Sequence, residues 1–176
     1  EANKHVFCEK PLALNARDAK KMVSAAEKRG LINMVNFTYR NASALQEARR
    51  LVTSGALGTI RNVIGSYRQS WLVQDAWGDW KSEDTWLWRL STAHGSKGAL
   101  GDTGVHIFDF AAYATGSTFK HVTGVLTTFD KAPGGKIGKY TLDANDSAML
   151  QGMMANGAAV SLVITRFATG HMNDSL

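Results

Sequence analysis

The chain has 176 residues, 44% of them hydrophobic and 20% charged, a make-up that fits one globular domain and excludes a disordered tail or a membrane-embedded bundle. Twenty Lys and Arg against fifteen Asp and Glu give a net charge of +5, yet Asp18 and Glu27 stand among Lys20, Lys21, Lys28 and Arg29, so no basic face for nucleic acid is expected. No apolar run reaches the roughly 18 residues of a membrane span, and a lone Cys8 suits a reducing compartment, so a cytoplasmic protein is expected.

Residues 5–8 form a short apolar run, and Glu9-Lys10-Pro11 ends it because proline cannot continue a ladder. Asn15 is a helix cap with Asp18 three residues on; Ala19, Met22, Val23 and Ala26 make one apolar stripe, and Gly30 stops it. Residues 31–37 read as a second buried strand, completing a strand, helix, strand unit of the kind found in parallel sheets. The strands that would complete such a sheet are expected upstream of Glu1. Ala44, Leu45, Ala48, Leu51 and Val52 form a further amphipathic helix closed by Gly55.

Beyond that helix the pattern changes. Residues 59–73 and 119–129 read as extended, and the apolar runs 147–154 and 158–167 flank Asn156-Gly157, a strong hairpin signal. The expected fold class is α+β: an open, mostly antiparallel sheet with helices packed on one face, preceded by the last strand, helix and strand of a dinucleotide-binding domain. Residues 105–113 are the expected covering helix, and 131–139, with three glycines, a mobile loop.

The densest chemistry lies in Gly98-Ala-Leu-Gly-Asp-Thr-Gly-Val-His-Ile-Phe-Asp109. Asp102, His106, Asp109 and Tyr113 are spaced to share one helical face, where a carboxylate one turn from a histidine can fix its tautomer for proton transfer. Gly98, Gly101 and Gly104 would let a substrate approach the backbone. A solvated helix start and a metal site on Asp102, His106 and Asp109 stand as alternatives. Lys10, at the end of a strand, can present its charge to a developing oxyanion or a phosphate, although a Lys beside a Pro is also an ordinary surface residue. All five tryptophans lie between Trp71 and Trp88. They either stack on a ligand ring or cover the sheet, with Trp88 and Arg89 expected nearest the Asp-His helix. Cys8 is expected to be buried and inert, and His5, His94, His121 and His171 to be structural or surface residues.

Together, Val6-Phe-Cys-Glu-Lys-Pro-Leu12, Asn36-Phe-Thr-Tyr-Arg40, Gly55-Ala-Leu-Gly58, Trp88-Arg89 and the 98–109 segment resemble the glucose-fructose oxidoreductase and inositol dehydrogenase (Gfo/Idh/MocA) family, in order and in interval. The resemblance implies two parts: residues 1–37 as a remnant of a Rossmann domain binding NAD or NADP, and residues 38–176 as a substrate-binding and oligomerisation domain. It implies Lys10, Asp102 and His106 as catalytic residues. His106 would take a hydroxyl proton as hydride leaves for nicotinamide, Asp102 would orient it, and Lys10 would stabilise the forming carbonyl. Glu9, Lys10, Pro11 and Arg89 would face the cofactor; Tyr39, Trp88, Asp102 and His106 would face a sugar, inositol or related polyol. A homodimer or homotetramer through the sheet is expected, with neither nucleic acid nor membrane as partner. No Gly-x-Gly-x-x-Gly occurs in the sequence, so this chain alone is expected to bind nucleotide poorly and to be inactive. A non-catalytic carbohydrate-binding or dimerising module of the same fold is the competing reading, and a metal-dependent hydrolase the third.

Overall fold

The structure, a computed structural model, describes residues 2–170 and the backbone of Asp174–Ser175; His171 lies outside the described residues. The chain opens with strand β1 (Val6–Glu9), helix α1 (Ala16–Glu27) and strand β2 (Asn33–Asn36), β1 and β2 pairing in parallel from Val6↔Asn33 to Glu9↔Asn36. The Asn15 side chain accepts the Asp18 N–H at 2.9 Å, which starts α1, and Gly30 at φ +63° ends the turn that follows it. Where the sequence predicts buried strands, Val6, Phe7, Ile32 and Met34 are exposed and Cys8 is only half-buried. Among the described residues α1 is the helix laid against this two-stranded ribbon, and one helix cannot cover both faces of a sheet.

After a tight 3₁₀ turn at Thr38–Asn41, helix α2 (Ser43–Thr53) runs to Gly55 at φ +75°. Strand β3 (Asn62–Arg68) follows and ends earlier than the predicted extended run, because the chain beyond it passes into a series of turns up to residue 83. A short helix α3 (Asp84–Leu87), a 3₁₀ turn (Trp88–Leu90) and a π-helical turn (Leu100–Gly104) lead into helix α4 (Val105–Thr115). Strands β4 (Phe119–Thr127), β5 (Lys136–Ile137), β6 (Tyr140–Thr141), β7 (Ser147–Met154), β8 (Ala159–Thr165) and β9 (Asp174–Ser175) complete the described chain.

The principal sheet has the order β4-β7-β8-β3-β9. β7 and β8 form the hairpin that Asn156-Gly157 signals, with Gly157 at φ +88°; every pair is antiparallel except β3 with β8. Alternation sends Ala148, Leu150, Val160, Leu162 and Ile164 inward, where they meet Ile107 and Ala111 of α4 in a buried apolar core. On the opposite face Val125 and Met149 lie side by side, and both are exposed, as is Ile64. A second apolar cluster joins Trp71, Trp80, Leu87 and Leu90 to Tyr140 and Leu142.

The 131–139 segment is a pinned hairpin rather than the predicted mobile loop. β5 pairs with β6, and the wholly buried Lys131 ammonium reaches the wholly buried Asp146 carboxylate at 2.5 Å. A buried ion pair 15 residues apart anchors the segment that its glycines would otherwise leave free.

Candidate active site

Three elements converge where the small parallel unit meets the main sheet. Lys10, just past the end of β1, reaches across to the π-helical turn: its Nζ donates to the Asp102 backbone carbonyl at 2.7 Å and to Asp102 Oδ1 at 3.3 Å. His106 follows in the first turn of α4. Together with Tyr67, Gln69, Trp71, Trp77, Trp86, Arg89 and Thr103, these residues line a cleft of about 200 Å³. A separate hollow of about 350 Å³ between α1 and the β1–β2 ribbon is mainly apolar and holds no such cluster of acid, base and cation.

The electrostatics of the cleft centre on Asp102. Oδ2 accepts from Arg166 Nη2 at 3.1 Å and faces Arg89 Nε at 3.9 Å. Burial pushes this carboxyl up, but Arg166, Lys10 and Arg89 outweigh that and hold it below the ordinary carboxylate value. His106 moves the other way. Burial and the Lys10 charge lower its pKa against the opposing pull of Asp102, Asp109 and Glu9, so the ring is held neutral. Its walls are aromatic: Tyr39 meets it edge-on at 4.9 Å, Tyr67 stacks at 6.1 Å, and Phe37 touches at 6.3 Å. Nδ1 is sealed in this wall without a hydrogen-bond partner, which leaves Nε2 as the nitrogen able to meet a ligand.

Several expectations from the sequence are corrected here. No hydrogen bond joins Asp102 to His106 among the described residues; both carboxylate oxygens are taken by cations. Asp109 does not share the cleft either. Arg40 grips it with Nε at 2.9 Å and Nη2 at 2.5 Å, and the Arg40 and Arg49 guanidinium groups both lie over the Tyr113 ring. The predicted polar stripe thus splits into a cleft half and an arginine-clamped half. Among the described residues no group of three His, Cys, Asp or Glu is placed to hold a metal ion.

The glycines of the 98–104 segment are packed against neighbouring side chains, and none of them is in the cleft lining. A Cβ on Gly98 would stand 2.2 Å from Asn145 Nδ2, one on Gly101 2.2 Å from Lys97 Cβ, and one on Gly104 3.0 Å from Leu100 Cδ1.

Tyr39 and Trp88, read as substrate contacts, are not in the cleft lining. The Tyr39 hydroxyl meets the Tyr67 hydroxyl at 2.6 Å, so Tyr39 backs the residue that does line it. Trp88 lies under the Arg89 guanidinium at 4.7 Å and is not part of the cleft lining. Glu9 accepts from Asn36 Nδ2 at 2.5 Å, tying the ends of β1 and β2, and Pro11 likewise stands outside the lining. Arg89 is in it, its Nη1 donating to the Thr85 carbonyl. Of the histidines set aside, His5 Nδ1 accepts the Ile32 N–H at 3.1 Å, fastening the start of the chain to the segment before β2, and His94 Nδ1 meets Ser91 Oγ at 2.9 Å within its own turn.

Two site residues escaped the sequence reading although a signal was present. Tyr67 and Arg166 follow the inward parity of β3 and β8, so a phenol and a guanidinium stand where the alternation calls for apolar side chains.

The profile of the GFO/IDH/MocA C-terminal domain matches residues 45–176. The chain belongs to the Gfo/Idh/MocA family. Residues 1–37 match the NAD-binding Rossmann profile of the same oxidoreductase family. Levoglucosan dehydrogenase of Pseudarthrobacter phenanthrenivorans is 34% identical over 98% of this Gfo/Idh/MocA chain and 46% of its own length. Glucose-6-phosphate 3-dehydrogenase of Bacillus subtilis is 25% identical over 93% of the chain and 44% of its own. Among solved structures, levoglucosan dehydrogenase in complex with NADH and levoglucosan superposes with a TM-score of 0.81 at 34% identity, covering 98% of this chain and 44% of that one. An oxidoreductase domain protein from Kribbella flavida gives 0.80 at 38% identity, over 97% and 44%. The chain therefore spans about half the length of the curated relatives it matches.

Proposed function

We propose that this chain is the substrate-side part of an NAD(P)-dependent dehydrogenase that oxidises a CH–OH group of a neutral sugar or polyol. The observation that carries the reading is the convergence of Lys10 and His106 on one tryptophan-walled cleft at the carboxyl end of a parallel strand, the edge at which open α/β sheets bind nucleotides. The residues present fit the nicotinamide end of the cofactor, with Lys10 beside it. The phosphates would need a glycine-rich turn that this sequence does not contain. When bound, the nicotinamide supplies the hydride acceptor.

The chain's own residues do the rest. His106, held neutral, takes the hydroxyl proton at Nε2. Lys10 has three donors, two of them engaged by Asp102, and directs the third at the substrate oxygen as it gains carbonyl character. Trp77, 64% exposed at the cleft, offers a face for a sugar ring, which suits the sugar dehydrogenases among the relatives.

The same proposal includes a division at residues 37 and 38 between nucleotide-binding and substrate domains, NAD or NADP as the nucleotide, and a cytoplasmic location, which the unpaired Cys8 favours. It also includes a homodimer or homotetramer formed through the outer sheet face, where Ile64, Val125 and Met149 are exposed. A purely assembling module has this face in its favour, but it leaves Lys10, Asp102 and His106 without employment.

The experiment is a panel of sugars and polyols offered to the full-length protein with NAD and with NADP, following reduced nicotinamide. Reduction that disappears in Lys10→Met and His106→Asn supports the reading. No reduction with any member of the panel, or rates unchanged in both variants, overturns it.

A further inference from the structure

Arg166 is wholly buried, and an arginine in that position has to be explained, since a methionine of similar length would fill the space without the cost of removing a cation from water. Its guanidinium is held on three sides. Nη2 donates to Asp102 Oδ2 at 3.1 Å, Nη1 donates to the Arg89 carbonyl at 3.0 Å, and the plane lies 5.1 Å from the centre of the Trp71 ring. Its backbone N–H donates to the Asp146 carbonyl at 3.0 Å, placing it beside the sealed Lys131–Asp146 pair. Charges therefore alternate from the cleft into the core: Lys10, Asp102, Arg166, Asp146, Lys131.

We propose that Arg166 is the positioning residue of the cleft, holding one oxygen of Asp102 so that the carboxylate's other oxygen and its backbone carbonyl fix Lys10, and withholding Asp102 from His106. The kinetic part of this inference rests on the dehydrogenase reading above. Without Arg166, Oδ2 would be free to turn toward the imidazole, and Lys10 would keep the Asp102 backbone carbonyl but lose the carboxylate oxygen that fixes its direction. The groups facing Asp102 are Lys10 from the end of β1, Arg89 from the turn after α3, His106 from α4 and Arg166 from just past the end of β8. Arg166 is the one of these fully enclosed in the core, so its contribution is the least screened by solvent.

The test uses Arg166→Met and Arg166→Lys in the full-length protein. The first readout needs no turnover: the Asp102 carboxyl is titrated by carbon NMR, assigned with Asp102→Asn. Loss of a facing cation raises the midpoint by about one unit or more in Arg166→Met. The second readout is kinetic, with kcat lowered about tenfold in Arg166→Lys, KM within about twofold, and the acid limb of the pH profile moved upward, because lysine cannot bridge Asp102 and the Arg89 carbonyl together. If Arg166→Met does not fold, Arg166→Gln, which also removes the cation, carries the titration. A folded Arg166→Met or Arg166→Gln whose Asp102 midpoint is that of the parent overturns the inference. Absence of dehydrogenase activity in the parent would sink the functional reading alone, and the titration would still decide the role of Arg166.

Discussion

The Lys10 ammonium meets the Asp102 backbone carbonyl at 2.7 Å across 92 residues of sequence, so the end of the first strand and the turn before α4 are fastened by one side chain. A backbone carbonyl cannot be titrated or rotated away as a carboxylate can. Lys10 is therefore held in place even if Asp102 changes its charge. Replacing Asp102 by Asn, which keeps that carbonyl, is expected to reduce turnover less than Lys10→Met does. Steady-state rates of the two variants check this, and an equal or larger loss in Asp102→Asn would contradict it.

The pH dependence follows from His106. Burial and Lys10 place its pKa below the ordinary 6.5, and the neutral ring is the form that accepts a proton. For alcohol oxidation, kcat/KM should rise with pH through a midpoint under 6.5 and then level, with that limb absent in His106→Asn. Stability moves the same way. The unfolded chain binds the proton more readily than the folded one, so stability falls as pH drops below 6.5 toward the folded-state pKa. A kinetic midpoint above 6.5 would sink this assignment.

The tryptophans should separate by place. Trp77→Ala is expected to raise KM for a sugar about tenfold while Trp77→Phe keeps most of the affinity, since a face remains for stacking. Trp88→Ala, outside the cleft, should leave KM within about twofold. Equal effects at the two positions would show that neither acts through a ring contact.

Asp109 is 8% exposed in its side chain and depends on Arg40 for both oxygens. Arg40→Ala should destabilise the fold by about 1–3 kcal/mol in urea denaturation, the cost of a nearly buried acceptor left unmatched. The partly exposed Arg40 tempers the figure, because water can approach from its side.

Gly98 sits at φ +66° against Asn145, whose carbonyl accepts the Ala99 N–H at 2.7 Å and whose Oδ1 accepts the Leu100 N–H at 3.0 Å. Gly98→Ala brings a Cβ into that side chain and should cost about 2 kcal/mol or more while loosening the turn that carries Asp102. Thermal unfolding with a parallel rate measurement would show both losses; a variant of parental stability would contradict the steric reading.

What could be read from the sequence was what local chemistry controls. Asn15 caps, Gly30 and Gly55 stop, Asn156-Gly157 turns, and the apolar period places α4 against β7 and β8. What could not be read depends on partners far along the chain. The i, i+4 spacing of Asp102 and His106 suggests a pair, but the π-helical turn and the arrival of Lys10 and Arg166 take the carboxylate elsewhere. Three glycines in 131–139 suggest mobility, which the buried Lys131–Asp146 pair removes. Trp88 is adjacent to Arg89 in sequence, yet Trp71, Trp77 and Trp86, farther off, are the ones that line the cleft.

The lone parallel alignment in the sheet, β3 beside β8, also sets an order of events in folding. The β7–β8 hairpin can close on itself through a two-residue turn. β3 can join only after the chain holding α4, β4 and β7 has been gathered between them, a long loop whose closure entropy must first be met. Tyr67 and Arg166, which stand near the ends of these two strands, thus come together last. Pulse-labelled hydrogen exchange should find the amides of β3 protected after those of the hairpin, so that a nascent molecule acquires its core before it acquires its cleft.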